Sequence, residues 1–269
     1  MGDGRGRSDR WASGATYEPY VGRWSRLVAR ELLQWLNVPP NSRWLDVGCG
    51  TGGVTQTILR FAAPREVKGV DRSDGYIAYA REQVHDPRVS FEVGDAMALP
   101  IEPGVYDVAV SGLVLNFVRR PHIMVSEMKH AVQPGGIVVA YVWDYAGKMQ
   151  LMRHFWNAAV ALDPAAHDLD EGRRFPICDP QQLAELFRAI DLREVEARPI
   201  DILTDFRDFD DYWAPFLSGE GPAPGYAMSL SEDRRATLRE RIRSSLPFAL
   251  DGSIPLVARA WAVRGRREA

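Results

Sequence analysis

From residue 43 to residue 142 short apolar runs alternate with amphipathic ones, and this rhythm predicts strands and helices in turn. Ahead of it, Trp24, Leu27, Val28, Leu32, Trp35 and Leu36 recur at helical spacing, so a helix leads up to Pro39-Pro40. Arg43 to Val47 reads as a first strand, Val54 to Phe61 as a helix, Val67 to Val70 as a second strand and Gly75 to Val84 as a helix. Strands are expected again at Val89 to Val93 and Tyr106 to Val110. A helix at His122 to Val132, a Pro134-Gly135-Gly136 turn and a fifth strand from Ile137 to Val142 follow. Strands this apolar are covered on both faces, which predicts a doubly wound α/β fold around a parallel sheet. After Trp143 the rhythm breaks into an irregular block. A helix is predicted at Pro180 to Ala189, a strand at Arg193 to Ile200, a second irregular block from Asp205 to Leu230, a helix bearing Leu238, Ile242 and Leu246, and a closing strand at Leu256 to Val263.

Composition narrows the class. With 269 residues, 46% of them hydrophobic, the chain can bury one large α/β core. Residues 1–14, rich in Gly, Arg, Ser and Asp, read as a disordered tail, and residues 15–263 as a single domain with its core at 41–143 and cap insertions at 144–180 and 205–250. Arg264, Arg266 and Arg267 read as a solvated basic tail over 264–269. A net charge of -3 with mixed signs argues against a nucleic-acid partner. No run approaches the roughly 20 apolar residues of a membrane span, and Cys49 and Cys178 form neither a disulfide framework nor a zinc motif, so a cytoplasmic protein is expected.

The chemistry concentrates in Trp44 to Gly53, where a strand runs into glycines that open a helix. Such a turn lets the backbone and the first helical N–H groups approach a nucleotide-like ligand. Gly48, Gly50 and Gly53 also satisfy the dinucleotide spacing, with Asp71 about 20 residues on, so an NAD(P)-dependent oxidoreductase is one reading. Asp46, two residues before the first glycine, can accept hydrogen bonds from the loop or from a ligand ammonium, or can merely brace the turn. Asp71, in Gly69-Val70-Asp71-Arg72-Ser73, can hold a ribose diol; the alternative is a helix cap, for which Ser73 is better placed. Asp95, in Gly94-Asp95-Ala96, suits an adenine amine or an ordinary turn.

Together, an acid before the glycine loop, Val-Asp-x-Ser after the second strand, Gly-Asp-Ala-x-x-Leu-Pro after the third and Pro-Gly-Gly before the fifth closely resemble the class I S-adenosylmethionine-dependent methyltransferases. The nearest subgroup is the small-molecule enzymes of ubiquinone and menaquinone biosynthesis. The resemblance implies a Rossmann-like, mostly parallel seven-stranded sheet with an antiparallel last strand and a mainly helical cap. It also implies S-adenosylmethionine as cofactor and S-adenosylhomocysteine as product. By the same resemblance Asp46 with Gly48, Cys49, Gly50 and Gly52 holds the methionine end, Asp71 beside Arg72 the ribose, Asp95 with Ala96 the adenine, and Ser111 and Leu115 the sulfonium side. Tyr20 and Arg23 lie in a segment that often folds over the cofactor in related enzymes. Phe117 departs from the pattern, since many members carry a histidine there. That departure keeps open a cofactor-binding module without transfer activity.

Methyl transfer from a sulfonium mainly requires an aligned, partly dehydrated acceptor, so a dedicated base is optional. Candidate bases are Asp144, His154, His167 and Asp170. The acceptor, a small organic molecule, is expected over the carboxyl edge of the sheet, where Trp143, Tyr145, Trp156, Tyr212 and Trp213 supply aromatic surface and Arg173 a possible carboxylate clamp. These aromatics serve equally well as the core of a cap. Neither the Asn/Asp-Pro-Pro-Tyr run of nucleic-acid amine methylation nor the acidic set of the magnesium-dependent catechol type occurs, so no metal is expected.

Overall fold

A computed structural model describes residues 22–219 and 221–269; the expected tail at 1–14 and Tyr20 lie outside them. Helix α1 (Arg23–Leu36) buries Val28, Leu32 and Leu36 and stops at Asn37, whose left-handed φ of 44° turns the chain toward Pro39-Pro40. The alternation then unfolds as β1 (Arg43–Val47), α2 (Gly53–Phe61), β2 (Glu66–Asp71), α3 (Asp74–Gln83), β3 (Val89–Val93), β4 (Tyr106–Gly112), α4 (Pro121–Ala131) and β5 (Val132–Trp143). Next come α5 (Gln150–Leu162), α6 (Glu171–Arg174), α7 (Pro180–Ala189), β6 (Arg193–Phe206), α8 (Phe209–Trp213), α9 (Pro222–Ser229), α10 (Glu232–Ser245) and β7 (Ile254–Arg266).

The seven strands form one sheet in the order β3-β2-β1-β4-β5-β7-β6. Strands β1 to β5 pair in parallel, whereas β7 runs antiparallel to both β5 and β6. The expected mostly parallel sheet with an antiparallel last strand is therefore present. Helix α4 lies on β4 and β5 and touches α7, which covers β6 and β7, while α1 packs along α2 and reaches β6. Val47, Val108, Val110, Val138 and Val139 are fully buried between these layers, as strands covered on both faces must be.

Three boundaries differ from expectation. Pro134-Gly135-Gly136 is not a turn ahead of β5 but a bulge within it: pairing jumps from Tyr106↔Val132 to Val108↔Ile137, and Gly135 adopts a φ of 79°. Strand β6 continues past Ile200 to Phe206, because Ile202, Thr204 and Phe206 face inward while Asp201, Leu203 and Asp205 face out. The first half of the basic tail is strand: β7 extends to Arg266, with Arg264 Nη2 2.8 Å from Glu196 and Arg266 Nε 3.1 Å from Glu194 across the ladder. The block after Trp143 is mainly helical, as the resemblance implied for the cap, with α5, a 3-10 turn at Pro164–Leu169 and α6.

The two insertions share one aromatic core. Phe155 stacks on Phe216 at 4.6 Å, Trp156 meets Tyr226 at 5.6 Å, Tyr212 meets Phe206 at 5.3 Å, and Phe206 meets Trp24 of α1 at 5.6 Å. Such pairs add about 0.5–1.5 kcal/mol each beyond the area they bury. The cap is thereby fixed to β6 and to the first helix.

Candidate active site

Strand β1 delivers Asp46, which is fully buried. Thr55 Oγ1, from α2, donates to its Oδ2 at 2.7 Å, and Oδ1 has no hydrogen-bond partner. Burial, reinforced by the nearby charge of Asp71, pushes the Asp46 carboxyl up to about 7 against the opposing pull of Thr55. Beyond it the backbone bends through Gly48 and Gly52 at φ 74° and 85°, a region that side-chain-bearing residues avoid. A Cβ on Gly48 would lie 2.5 Å from Val114 Cγ2. The loop is tied to the next strand, because Gly48 N and Cys49 N both donate to the Val70 carbonyl, at 2.7 and 3.1 Å. Cys49 is buried, and desolvation beside Asp46 and Asp71 pushes its thiol up, so it stays neutral.

Asp71, at the end of β2, clasps two loops: Oδ2 accepts from Gly50 N at 3.0 Å and Oδ1 from Ser73 N at 2.9 Å. Burial raises its carboxyl although those bonds and the adjacent Arg72 favour the anion. Ser73 itself caps α3, accepting from Tyr76 N. The third loop joins the second through Gly94 N, which donates to the Asp71 carbonyl at 3.0 Å. There Asp95 is exposed and accepts from Met97 N at 2.9 Å, the geometry of an Asx turn, with half-buried Ala96 beside it. The three acids thus sit at the carboxyl ends of three adjacent strands.

Past β4 the chain turns through Leu113, whose φ of 62° costs about 1–2 kcal/mol for a residue with a Cβ. The turn sets Val114 against Gly48 and is held by Leu113 N donating to the Tyr141 carbonyl at 2.8 Å. Ser111 and Leu115 are buried here, and Ser111 Oγ has no partner. Phe117 meets Phe175 edge-on at 5.1 Å, and Tyr145 meets the same ring at 5.8 Å. This brings the corner after β4, the end of β5 and the first insertion together.

Several expected site residues hold up the cap instead. Trp156 Nε1 donates to Glu171 Oε2, and burial together with Asp170 pushes the Glu171 carboxyl up to about 7. Tyr212 donates to the Leu151 carbonyl at 2.8 Å, and Trp213 stacks on Phe209. Arg173 is exposed. Arg23 pairs with Asp211 at 3.0 Å and lies over the rings of Trp24 and Phe206. Of the candidate bases, Asp144 accepts from Gly147 N and Lys148 N, and Asp170 pairs with Arg153 and caps Gly172. His154 lies 3.3 Å from Ser245 Oγ, and His167 is half-exposed beside Asp168. Each of the four has a structural partner. Sequence reasoning passed over Thr55, Val114, Asn116 and Phe175, which look like ordinary helix and loop residues until the fold brings them to this edge, and Glu171, which anchors the cap.

Comparison with known proteins agrees with this geometry. Residues 45–140 match a family described as a methyltransferase domain. The demethylmenaquinone methyltransferase of Bacillus cytotoxicus is 34% identical over 114 residues, 41% of this chain and 48% of that protein. The 2-methyl-6-phytyl-1,4-hydroquinone methyltransferase of Synechocystis is 33% identical over 134 residues, 48% of this chain and 42% of its own length. The chain thus spans less than half the length of these curated relatives. Among solved structures, phosphoethanolamine N-methyltransferase 2 of Haemonchus contortus, in complex with S-adenosyl-L-methionine, superposes with a TM-score of 0.60 at 18% identity, covering 95% of this chain and 56% of that one. Residues 45–140 thus resemble a methyltransferase domain, within a chain that shares the fold of a solved methyltransferase.

Proposed function

We propose that the protein is an S-adenosylmethionine-dependent methyltransferase acting on a small organic acceptor. The observation that carries this reading is the unpartnered, fully buried Oδ1 of Asp46 beside a loop bent through left-handed glycines. A buried carboxylate oxygen left unpaired is costly, and an ammonium group would satisfy it. An NAD(P) reading leaves Asp46 without that purpose.

In this reading Asp46 and the Gly48–Gly52 backbone hold the methionine end, and Asp71 beside Arg72 holds the ribose. Each Asp71 oxygen already accepts one backbone N–H and has a second lone pair for a hydroxyl. Asp95 and Ala96 border the adenine, and Ser111 and Leu115 the sulfonium side. Arg23 is left out of this set, because its guanidinium is committed to Asp211. When bound, S-adenosylmethionine supplies an activated methyl group for in-line displacement. The chain's own task is then to align the acceptor and exclude water, which the Phe117, Phe175 and Tyr145 rings suit. The hydroquinone and demethylmenaquinone in the names of the two relatives favour a flat, apolar acceptor. Two free, buried cysteines fit a reducing cytoplasm, and no helix among the described residues is long and apolar enough to cross a membrane.

A thermal-shift titration tests the cofactor. A ligand at 100 times its dissociation constant stabilises the fold by about 2.7 kcal/mol. A shift with S-adenosylhomocysteine and none with NAD or NADP is expected; the opposite pattern refutes the reading.

A further inference from the structure

We infer that Asn116 and Trp143 select the methyl acceptor by donating hydrogen bonds to its oxygen atoms, so the site takes a flat, oxygen-bearing ring in preference to an amine. The inference rests on the methyltransferase reading above and deepens it.

Asn116 is 8% exposed and Trp143 1% exposed, yet Asn116 Nδ2 and Trp143 Nε1 have no hydrogen-bond partner. Buried polar atoms in native folds are overwhelmingly paired, so these two orphans, one just past β4 and one at the end of β5, call for an explanation. Trp143 ends β5, and Asn116 follows the neighbouring strand β4. Gly112 of β4 faces Tyr141 of β5, and Leu113 N bonds the Tyr141 carbonyl. Trp143 lies two residues beyond that rung on β5, and Asn116 three residues beyond Leu113, in a 3-10 turn (Leu115–Phe117) that packs on β5. Each donor is accompanied by a ring: Phe117 follows Asn116, Tyr145 lies two residues after Trp143, and both rings meet Phe175.

The polarity of the orphaned atoms decides what they await. Asp46 Oδ1, on the cofactor side, is an acceptor when the acid is ionised, and a cationic donor suits it best. An amide NH2 and an indole N–H can only donate. An acceptor oxygen, whether phenolic, carbonyl or carboxylate, satisfies them. A protonated amine sets donor against donor at the Trp143 indole, which has no acceptor to offer, and at Asn116 is met only by turning the amide oxygen inward; sites built around buried hydrogen-bonding groups discriminate strongly against ligands that cannot satisfy them. The three rings offer a surface for a flat partner.

The test uses the whole protein saturated with S-adenosylhomocysteine and measures binding of two probes by calorimetry: 1,4-naphthohydroquinone, kept reduced under nitrogen, and 1-naphthylmethylamine, which carries the same ring system. The hydroquinone is expected to bind at least about tenfold more tightly. Trp143→Phe, which keeps the ring and removes the donor, and Asn116→Ala should each weaken it about fivefold or more while S-adenosylhomocysteine affinity stays within about twofold. Asn116→Asp should move the preference toward the amine. Equal binding of the two probes, or unchanged hydroquinone affinity in both variants, overturns the inference. So does binding of S-adenosylhomocysteine with neither probe, an outcome that leaves the methyltransferase reading standing. Failure to bind S-adenosylhomocysteine at all overturns both.

Discussion

Thr55 Oγ1 donates to one oxygen of Asp46 at 2.7 Å and leaves the other without a partner, so a single hydroxyl holds the acid in place while keeping a binding position open. A carboxyl in such a place is half-way to neutral near physiological pH.

Stability should therefore depend on pH through buried acids. Asp46 and Glu171 titrate near 7 in the folded protein, against 3.8 and 4.5 in an unperturbed chain. Between pH 4.5 and 7 the folded state keeps protons that the unfolded state has released. Their contribution is full at low pH and is lost as pH rises through this window, by roughly 1.4 kcal/mol per pH unit for each group. Urea unfolding of the cofactor-free protein at pH 5, 6, 7 and 8, with an Asp46→Asn, Glu171→Gln double variant alongside, measures it. The double variant should gain on the wild type up to pH 7 and no further; a constant difference would refute the assignment. Since an ammonium favours the ionised acid, S-adenosylhomocysteine affinity should rise over the same window.

Asp71→Ala removes the acceptor of two backbone N–H groups, on Gly50 and Ser73, as well as the proposed ribose ligand. The expected outcome is a loss of about 1–3 kcal/mol in folding stability and at least tenfold in S-adenosylhomocysteine affinity. Calorimetry at a temperature where the variant is folded separates the two. Unchanged affinity would exclude the ribose role even if stability falls.

Gly48→Ala meets two obstacles, the left-handed φ of 74° and the Val114 methyls. We expect a loss of about 2–4 kcal/mol, combining a backbone cost near 1–2 with overpacking. Adding Val114→Ala should recover only the steric share. A double-mutant cycle in urea would show this as coupling between the two sites, and strict additivity would mean that Val114 does not crowd position 48.

Where local pattern determines local structure, the sequence was readable. The Val-bearing runs at 43–47, 67–70 and 89–93 became strands, β1 buried almost throughout and the edge strand β3 burying only Phe91, and Ser73 capped its helix as its position suggested. Readings that depended on distant partners failed. Arg264 and Arg266 look like a solvated tail until Glu196 and Glu194, some seventy positions earlier, are placed opposite them. Trp156 and Tyr212 could have lined a pocket or filled a core, and only the Glu171 carboxylate and the Leu151 carbonyl decided for the core. Asn116 gave no signal because an unpaired amide becomes visible only when its surroundings are known.

The position of β7 has a consequence for how the chain reaches this state. The strand made last in sequence is inserted between β5 and β6, so β6 has no place in the sheet until residues 254–266 arrive. During synthesis the parallel half, β3-β2-β1-β4-β5, can form with its outer edge exposed, while β6 and the aromatic cap wait for a neighbour. Completion of the fold is therefore coupled to the emergence of that segment from the ribosome, and the interval before it is when edge pairing with another chain is the main hazard.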